Sequence, residues 1–232
     1  MIFRIYSLFP EFFESPLKCG LLGKAITGGL IDVSVVDIRS YSLNKHRRCD
    51  DYPYGGGSGM VIMPEPLFAA FEANETGDSK VIYMSPSGSL LNQGVVKRLS
   101  KEKEISILCG NYEGIDQRVI DSFVDEEISI GDYVLSGGEF AALILLDSVA
   151  RYIPGFMSNE ESLIEESFES DLLEYPQWTR PAEFRGHKVP DVLLSGDHDK
   201  IKNWRHEKRI EKTRLKRPDL YKKYLERLLL RE

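Results

Sequence analysis

The chain has 232 residues, 42% of them hydrophobic and 29% charged, with a formal charge of −7. That balance belongs to an ordinary globular protein, long enough to bury a core in one large domain or a medium and a small one. Three cysteines (Cys19, Cys49, Cys109) without CxxC spacing give neither a disulfide framework nor a zinc site. Reduced thiols fit a cytoplasmic protein. The opening segment Met1 to Ser15 has no basic leader followed by an apolar run, so no signal peptide is expected. No apolar run approaches the ~20 residues that span a bilayer, so no membrane partner is expected.

The charge is unevenly spread. From Lys200 to Glu232, 13 Lys and Arg stand against 5 Asp and Glu, a balance of +8 that leaves −15 on the other 199 residues. A basic C-terminal module suited to phosphates, joined to an acidic body, is one reading. A solvated helix surface is the other.

In chain order, Ile2 to Phe9 and Ile31 to Asp37 read as buried strands, with a helix over Pro16 to Gly29 between them. Ser42 to Gly59 is a polar, glycine-rich loop. A helix is expected over Glu65 to Ala73, strands over Lys80 to Met84 and Ile105 to Cys109, and a helix over Asn92 to Ser100 between those strands. A helix over Asp116 to Ser122, a strand over Glu126 to Ile130 and a long buried helix over Glu139 to Tyr152 follow. The alternation predicts an α/β fold with a mainly parallel sheet. Pro154 to Pro176 is acidic and without period, a linker or mobile loop. Basic helices over Asp197 to Thr213 and Pro218 to Leu230 form a second, smaller domain.

Pro53 to Met60 holds four glycines in five positions, but Met60 and Val61 stand where a P-loop needs Lys and Ser or Thr. The GxGxxG fingerprint does not fit either, so a tight turn is the better reading. The segment Leu108 to Asp116 leaves a strand, turns on Gly110 and Gly114, and enters a helix. Ligands of open α/β sheets sit outside the carboxyl ends of strands, so a small molecule is expected there, with Glu113 projecting toward it. Asp116 suits a helix start. Two further strand ends, Tyr83 to Pro86 and Ile128 to Glu139, are rich in Gly, Ser and Tyr, and the three together suggest a nucleoside. Arg151 closes a helix, where a cation ordinarily compensates the dipole. Asn44 to Arg48 beside Asp50 and Asp51 is a solvated loop or a phosphate contact. Trp178 and Trp204 are core residues by default, or stacking platforms.

Together these stretches closely resemble the TrmD family of SPOUT tRNA (guanine-N1)-methyltransferases. The resemblance is carried by Asp50 to Met60, Cys109 to Asp116, Ser129 to Glu139, Arg151 to Gly155, Tyr175 to Pro181, Leu194 to His198, Trp204-Arg205 and Arg217 to Leu220, in order over nearly the whole chain. It implies a deep trefoil knot, a topology that general chain-connection rules disfavour, and an obligate homodimer with active sites built from both subunits. Residues 1–157 would be the knotted catalytic domain, 158–178 a linker, and 179–232 a helical domain that meets the anticodon stem-loop of tRNA. S-adenosylmethionine would be lined by Tyr83, Met84, Ser85, Pro86, Gly110, Tyr112, Glu113, Ile130, Gly131, Tyr133, Leu135, Gly137 and Gly138.

The resemblance further implies Mg²⁺ at Glu113, and substrate contacts at His46, Asp50, Ser195 and His198. The acceptor would be N1 of guanine 37. Arg151 matches the family's catalytic arginine. Glu166 stands where the family has the aspartate base, with Glu165 and Asp171 as alternatives. Asn111 replaces a usual Arg, and Asp197 a usual Asn. Three rivals remain: a methyltransferase for another base or a ribose hydroxyl, a non-catalytic RNA-binding protein, and a nucleotide-binding oxidoreductase.

Overall fold

The computed structural model describes residues 1–74, 77, 79–158 and 166–230. Its contacts divide the chain into two units, Met1–Ser158 and Asn159–Glu232. In the first, β1 (Ile2–Ser7), α1 (Gly20–Thr27) and β2 (Asp32–Asp37) are followed by two short strands, β3 (Asp50–Asp51) and β4 (Val61–Ile62). Then come α2 (Pro64–Asn74), β5 (Lys80–Leu90), α3 (Gln93–Leu99), β6 (Glu104–Cys109), α4 (Gln117–Phe123), β7 (Glu126–Ser129) and α5 (Glu139–Ala150). Five strands form one sheet in the order β2-β1-β6-β5-β7, every neighbouring pair parallel. This is the expected α/β architecture.

Two-residue alternation explains why both faces of the sheet are covered. Phe3, Ile5, Ile82, Met84, Ile105 and Ile107 turn to one side and pack with Leu145, Leu146 and Val149 of α5. Tyr6, Val81, Tyr83 and Leu108 turn to the other and meet Leu67, Ala70 and Phe71 of α2. The central strand β6 is buried at every position. Asn92 caps α3, its side-chain oxygen accepting from the backbone N–H of Gly94 and Val95 at 3.0 and 3.2 Å. Asp116 caps α4 by accepting from Arg118 N at 3.0 Å, the helix-start role expected of it. The Arg118 guanidinium also holds the Asp116 carboxyl below its usual range.

Two elements depart from the sequence reading. The helix expected over Pro16 to Gly29 is broken into a 3-10 turn, Pro16–Lys18, and α1. Gly20 between them has φ +61°, and Gly23 packs so tightly on Lys18 that a Cβ there would lie 2.5 Å from its carbonyl carbon. The strand expected to end at Met84 runs on to Leu90, with a register shift between Met84 and Ser89 against β7. Gly88 allows this, because a Cβ on it would meet Ile128 N at 2.3 Å.

The second unit contains a two-stranded hairpin (Glu183–Phe184 with His187–Lys188) and the helices Asp191–Leu194, His198–Lys216 and Pro218–Leu229. Of the expected linker, residues 159–165 lie outside the described residues, and Glu165 among them. The stretch after it is tied down. Arg209 reaches Ser170 Oγ at 2.8 Å, Arg227 pairs with Asp171 at 3.3 Å, and Thr213 Oγ1 accepts from Leu173 N at 2.8 Å. Trp178 is 46% exposed, so it is not the core residue expected by default. Its side chain stands beside the basic helix rather than beneath it.

Thr213 is fully buried, and its hydroxyl also donates to Arg209 O at 2.7 Å. Thr213→Val preserves the shape and strands the Leu173 N–H. Urea unfolding should show a loss of about 1–3 kcal/mol, the cost of an unpaired buried donor; an unchanged midpoint would contradict the assigned contact.

Candidate active site

The parallel sheet brings the carboxyl ends of β5, β6 and β7 to one edge. The middle of β5, the end of β7 and the segments following β6 and β7 enclose a cavity of about 230 Å³. Tyr83 to Pro86 form one wall, Gly110 to Gly114 a second, and Ile128 to Ala141 most of the rest. Every residue named above for the methyl donor lines this one cavity. The lining also includes Asn111, Gly114, Val134 and Ser136, which the resemblance did not assign to the donor.

Glycines set the shape of the wall. Gly138 N donates to Gly110 O at 2.8 Å, and Asn111 and Gly137 form an antiparallel bridge. A Cβ on Gly138 would stand 2.9 Å from both Cys109 Cα and Gly110 N. A Cβ on Gly110 would meet the Tyr83 hydroxyl at 2.9 Å, and one on Gly131, where φ is +151°, would meet the Tyr133 ring at 2.4 Å. Each glycine therefore exposes backbone N–H and C=O groups where side chains would otherwise fill the space. Such a wall recognises a ligand through main-chain hydrogen bonds and ring stacking.

Electrostatically the cavity has a protonated, neutral floor. Burial, aided by Glu127, pushes the Tyr83 hydroxyl up to about 12. Cys109 behind it is raised well above the usual thiol range by burial and then by Glu139. Asn111 takes a structural part: its Nδ2 donates to Ser136 O at 3.2 Å and its Oδ1 accepts from Tyr112 N at 2.8 Å. That ties two cavity loops together, a role that only the three-dimensional arrangement reveals.

The glycine-rich loop is not a phosphate cradle. Glu113 N donates to Met60 O at 3.0 Å, and a Cβ on Gly59 would fall 2.4 Å from Glu113 Oε1. The loop instead lies against the outer side of Glu113, the tight turn expected. Glu113 is the residue that would hold Mg²⁺. Among the described residues no three His, Cys, Asp or Glu side chains cluster as a metal site, so no step is assigned to a metal.

The other candidates of the first unit do not line the cavity. His46 is exposed, its N–H turned onto Asn44 Oδ1 at 2.8 Å, and Asp50 lies in β3 opposite Ile62. Arg151 ends α5, whose first turn lines the cavity. Ten residues of helix separate Ala141 from Arg151, a rise of about 15 Å at 1.5 Å per residue. Glu166, Ser195 and His198 belong to the second unit. Glu166 is half-buried, while Ser195 and His198 are exposed beside the Asp197 cap of the basic helix. Asp171, an alternative base, is engaged by Arg227.

A family model described as tRNA (Guanine-1)-methyltransferase TrmD matches residues 1–223. The chain belongs to the TrmD family. Relatives named tRNA (guanine-N(1)-)-methyltransferase include one from Borreliella burgdorferi, 54% identical over 97% of this chain and 95% of its own length. Another from Caldanaerobacter subterraneus is 52% identical over 96% and 92%. A third, from Ruminiclostridium cellulolyticum, is 50% identical over 99% of this chain and all of its own length. No helix among the described residues is long and apolar enough to cross a membrane.

Gly138→Ala forces a methyl against backbone, a strain of about 1–3 kcal/mol for overpacking. Calorimetry should show donor affinity reduced about ten- to hundredfold with the circular dichroism spectrum retained; normal affinity would remove the cavity from consideration. In the native protein iodoacetamide should label Cys19 alone, since Cys49 and Cys109 are buried. Labelling of Cys109 at the rate of Cys19 would contradict the packed floor.

Proposed function

We propose that this protein transfers the methyl group of S-adenosylmethionine to N1 of guanine 37 in tRNA. The observation that carries this reading is the glycine-walled cavity formed by β5 and the ends of β6 and β7, in a chain that matches the TrmD model over nearly its whole length. When bound, the donor supplies an electrophilic methyl on a positively charged sulfur. The backbone of Gly110, Gly137 and Gly138 would grip its adenosine, with Tyr112, Tyr133 and Leu135 as apolar cover. The family resemblance further implies a trefoil knot in the first unit, and the ties between Gly110–Asn111 and Gly137–Gly138 join the two loops beside the cavity.

Guanine N1 carries a proton and is a poor nucleophile until that proton leaves. Glu166 would accept it, and Arg151 would stabilise negative charge gathering on O6. Glutamate has the basicity of the family's aspartate and one methylene more, so the backbone need only stand back slightly. The need for both groups at a ring N–H also separates this reading from methylation of a ribose hydroxyl.

The reading includes a homodimer, and two features support it. Arg151 lies about 15 Å along α5 from its own cavity at the helical rise, farther than its side chain extends, so it would serve a second copy's cavity. The same helix is apolar nearly all round, yet Phe140 and Ile144 are 56% and 44% exposed, beside Pro16 and Leu22. Contiguous exposed apolar surface of this kind marks an interface. The basic helices of the second unit would meet phosphates of the anticodon stem-loop, with His46, Asp50, Ser195 and His198 near the substrate. This is cytoplasmic chemistry on a cytoplasmic RNA.

Arg151→Ala and Glu166→Ala should bind the donor normally and lose turnover by about 10²–10³-fold, the scale for removing one charge-stabilising group. A mixture of Arg151→Ala and Gly138→Ala proteins separates the arrangements. If cavity and arginine come from different subunits, refolded mixtures recover roughly a quarter of wild-type activity, since half the dimers are mixed and each has one intact site. Recovery of none would place both in one chain.

A further inference from the structure

We infer that Glu139 sets the charge preference of the cavity, favouring a cationic sulfonium donor over the neutral thioether left after transfer. This rests on the cavity being the donor site, as proposed above. Glu139 opens α5 and is only 5% exposed. Its Oε1 accepts from the Ser7 hydroxyl at 2.7 Å. Its Oε2 faces Gly137, where a Cβ would lie 2.3 Å away. Because Gly137 lines the cavity, the carboxylate stands directly behind the cavity wall with no side chain between.

A carboxylate at a helix start is common, but it is ordinarily solvated. Burying one is costly, and among the described residues no Lys, Arg or His is paired with Glu139. Glutamine would accept the Ser7 hydrogen bond equally well, so that contact alone does not call for a charge. The field does reach the cavity floor, where Glu139 contributes to raising the Cys109 thiol. Glu113, the carboxylate on the opposite wall, is exposed and therefore screened. Tyr83, Tyr112 and Tyr133 complete the titratable lining, and burial pushes the Tyr83 hydroxyl up to about 12.

Transfer changes the ligand's charge. The S–CH₃ bond breaks with its electron pair remaining on sulfur, the methyl carbon bonds to N1, and the N1 proton passes to Glu166. The sulfonium becomes an uncharged thioether. At an effective dielectric constant of ~20, Coulomb's law gives at least a tenfold preference for a sulfonium held anywhere within roughly 12 Å of a buried carboxylate. Glu139 would thus hold the donor and release the product.

The test is calorimetric titration of the full chain with S-adenosylmethionine and with S-adenosylhomocysteine. Glu139→Gln should weaken the sulfonium at least about tenfold and the thioether less than about twofold. Ser7→Ala, which keeps the charge, should leave their ratio unchanged. Equal weakening of both ligands by Glu139→Gln, or an unchanged ratio, overturns the inference and makes Glu139 a structural pin. If Glu139→Gln does not fold, Glu139→Asp and Glu139→Asn replace it, and equal ratios in that pair overturn the inference. Failure of the wild-type chain to bind either ligand overturns the cavity reading itself.

Discussion

Backbone contact between two loops is the constraint on which the candidate site depends. Gly138 N reaches Gly110 O at 2.8 Å only because neither residue carries a side chain. That approach brings the segment after β7 over the end of β6, leaves main-chain groups facing the cavity, and starts α5 at the cavity wall. The parallel order of β6, β5 and β7 supplies the geometry, since it ends all three strands at the same edge. Hydrophobic burial on both faces then holds the sheet, with α5 on one side and α2 on the other. A rigid core supports a site made from loops, the usual division of labour in open α/β proteins.

Charge is distributed with the same economy. The acidic first unit carries a cavity with a neutral floor and two carboxylates, one exposed and one buried. The second unit is neutral overall, but from Lys200 on its long helices carry 13 Lys and Arg against 5 Asp and Glu, which steer a polyanion at low energetic cost. Arg151 sits at the far end of α5 from the cavity that α5 begins. In a two-subunit site that distance becomes functional, because one helix contributes a wall to its own cavity and a cation to another.

Much of the fold was legible in the sequence because apolar alternation and helix caps are local signals. The six strands and helices from Lys80 to Ala150 follow from local signals such as Asn92 and Asp116, whose side chains cap the helices that follow them. Other features depended on distant contacts. The sequence reading ends the strand at Met84, and the close approach of Ile128 to Gly88 accompanies its continuation to Leu90. The hairpin from Glu183 to Lys188 turns on Arg185 and Gly186, both at positive φ, and arginine is not a residue that announces such a turn. The cavity-lining residues were legible through family resemblance, whereas their physical necessity was not. Asn111 shows this: it departs from the family at one position, yet here its amide ties the Ser136 carbonyl to the Gly110 loop. Likewise Glu139 reads as an ordinary helix-start acid until its burial and its approach to Gly137 are seen.

The most direct test of the whole account is the position of the methyl group. Purified protein is supplied with S-adenosylmethionine and with tRNA transcripts bearing guanine or adenine at position 37. The products are digested and read by mass spectrometry. The account predicts 1-methylguanine at position 37 in the first transcript and no methylated base in the second. Methylation of a ribose, of another base, or of both transcripts alike would contradict it.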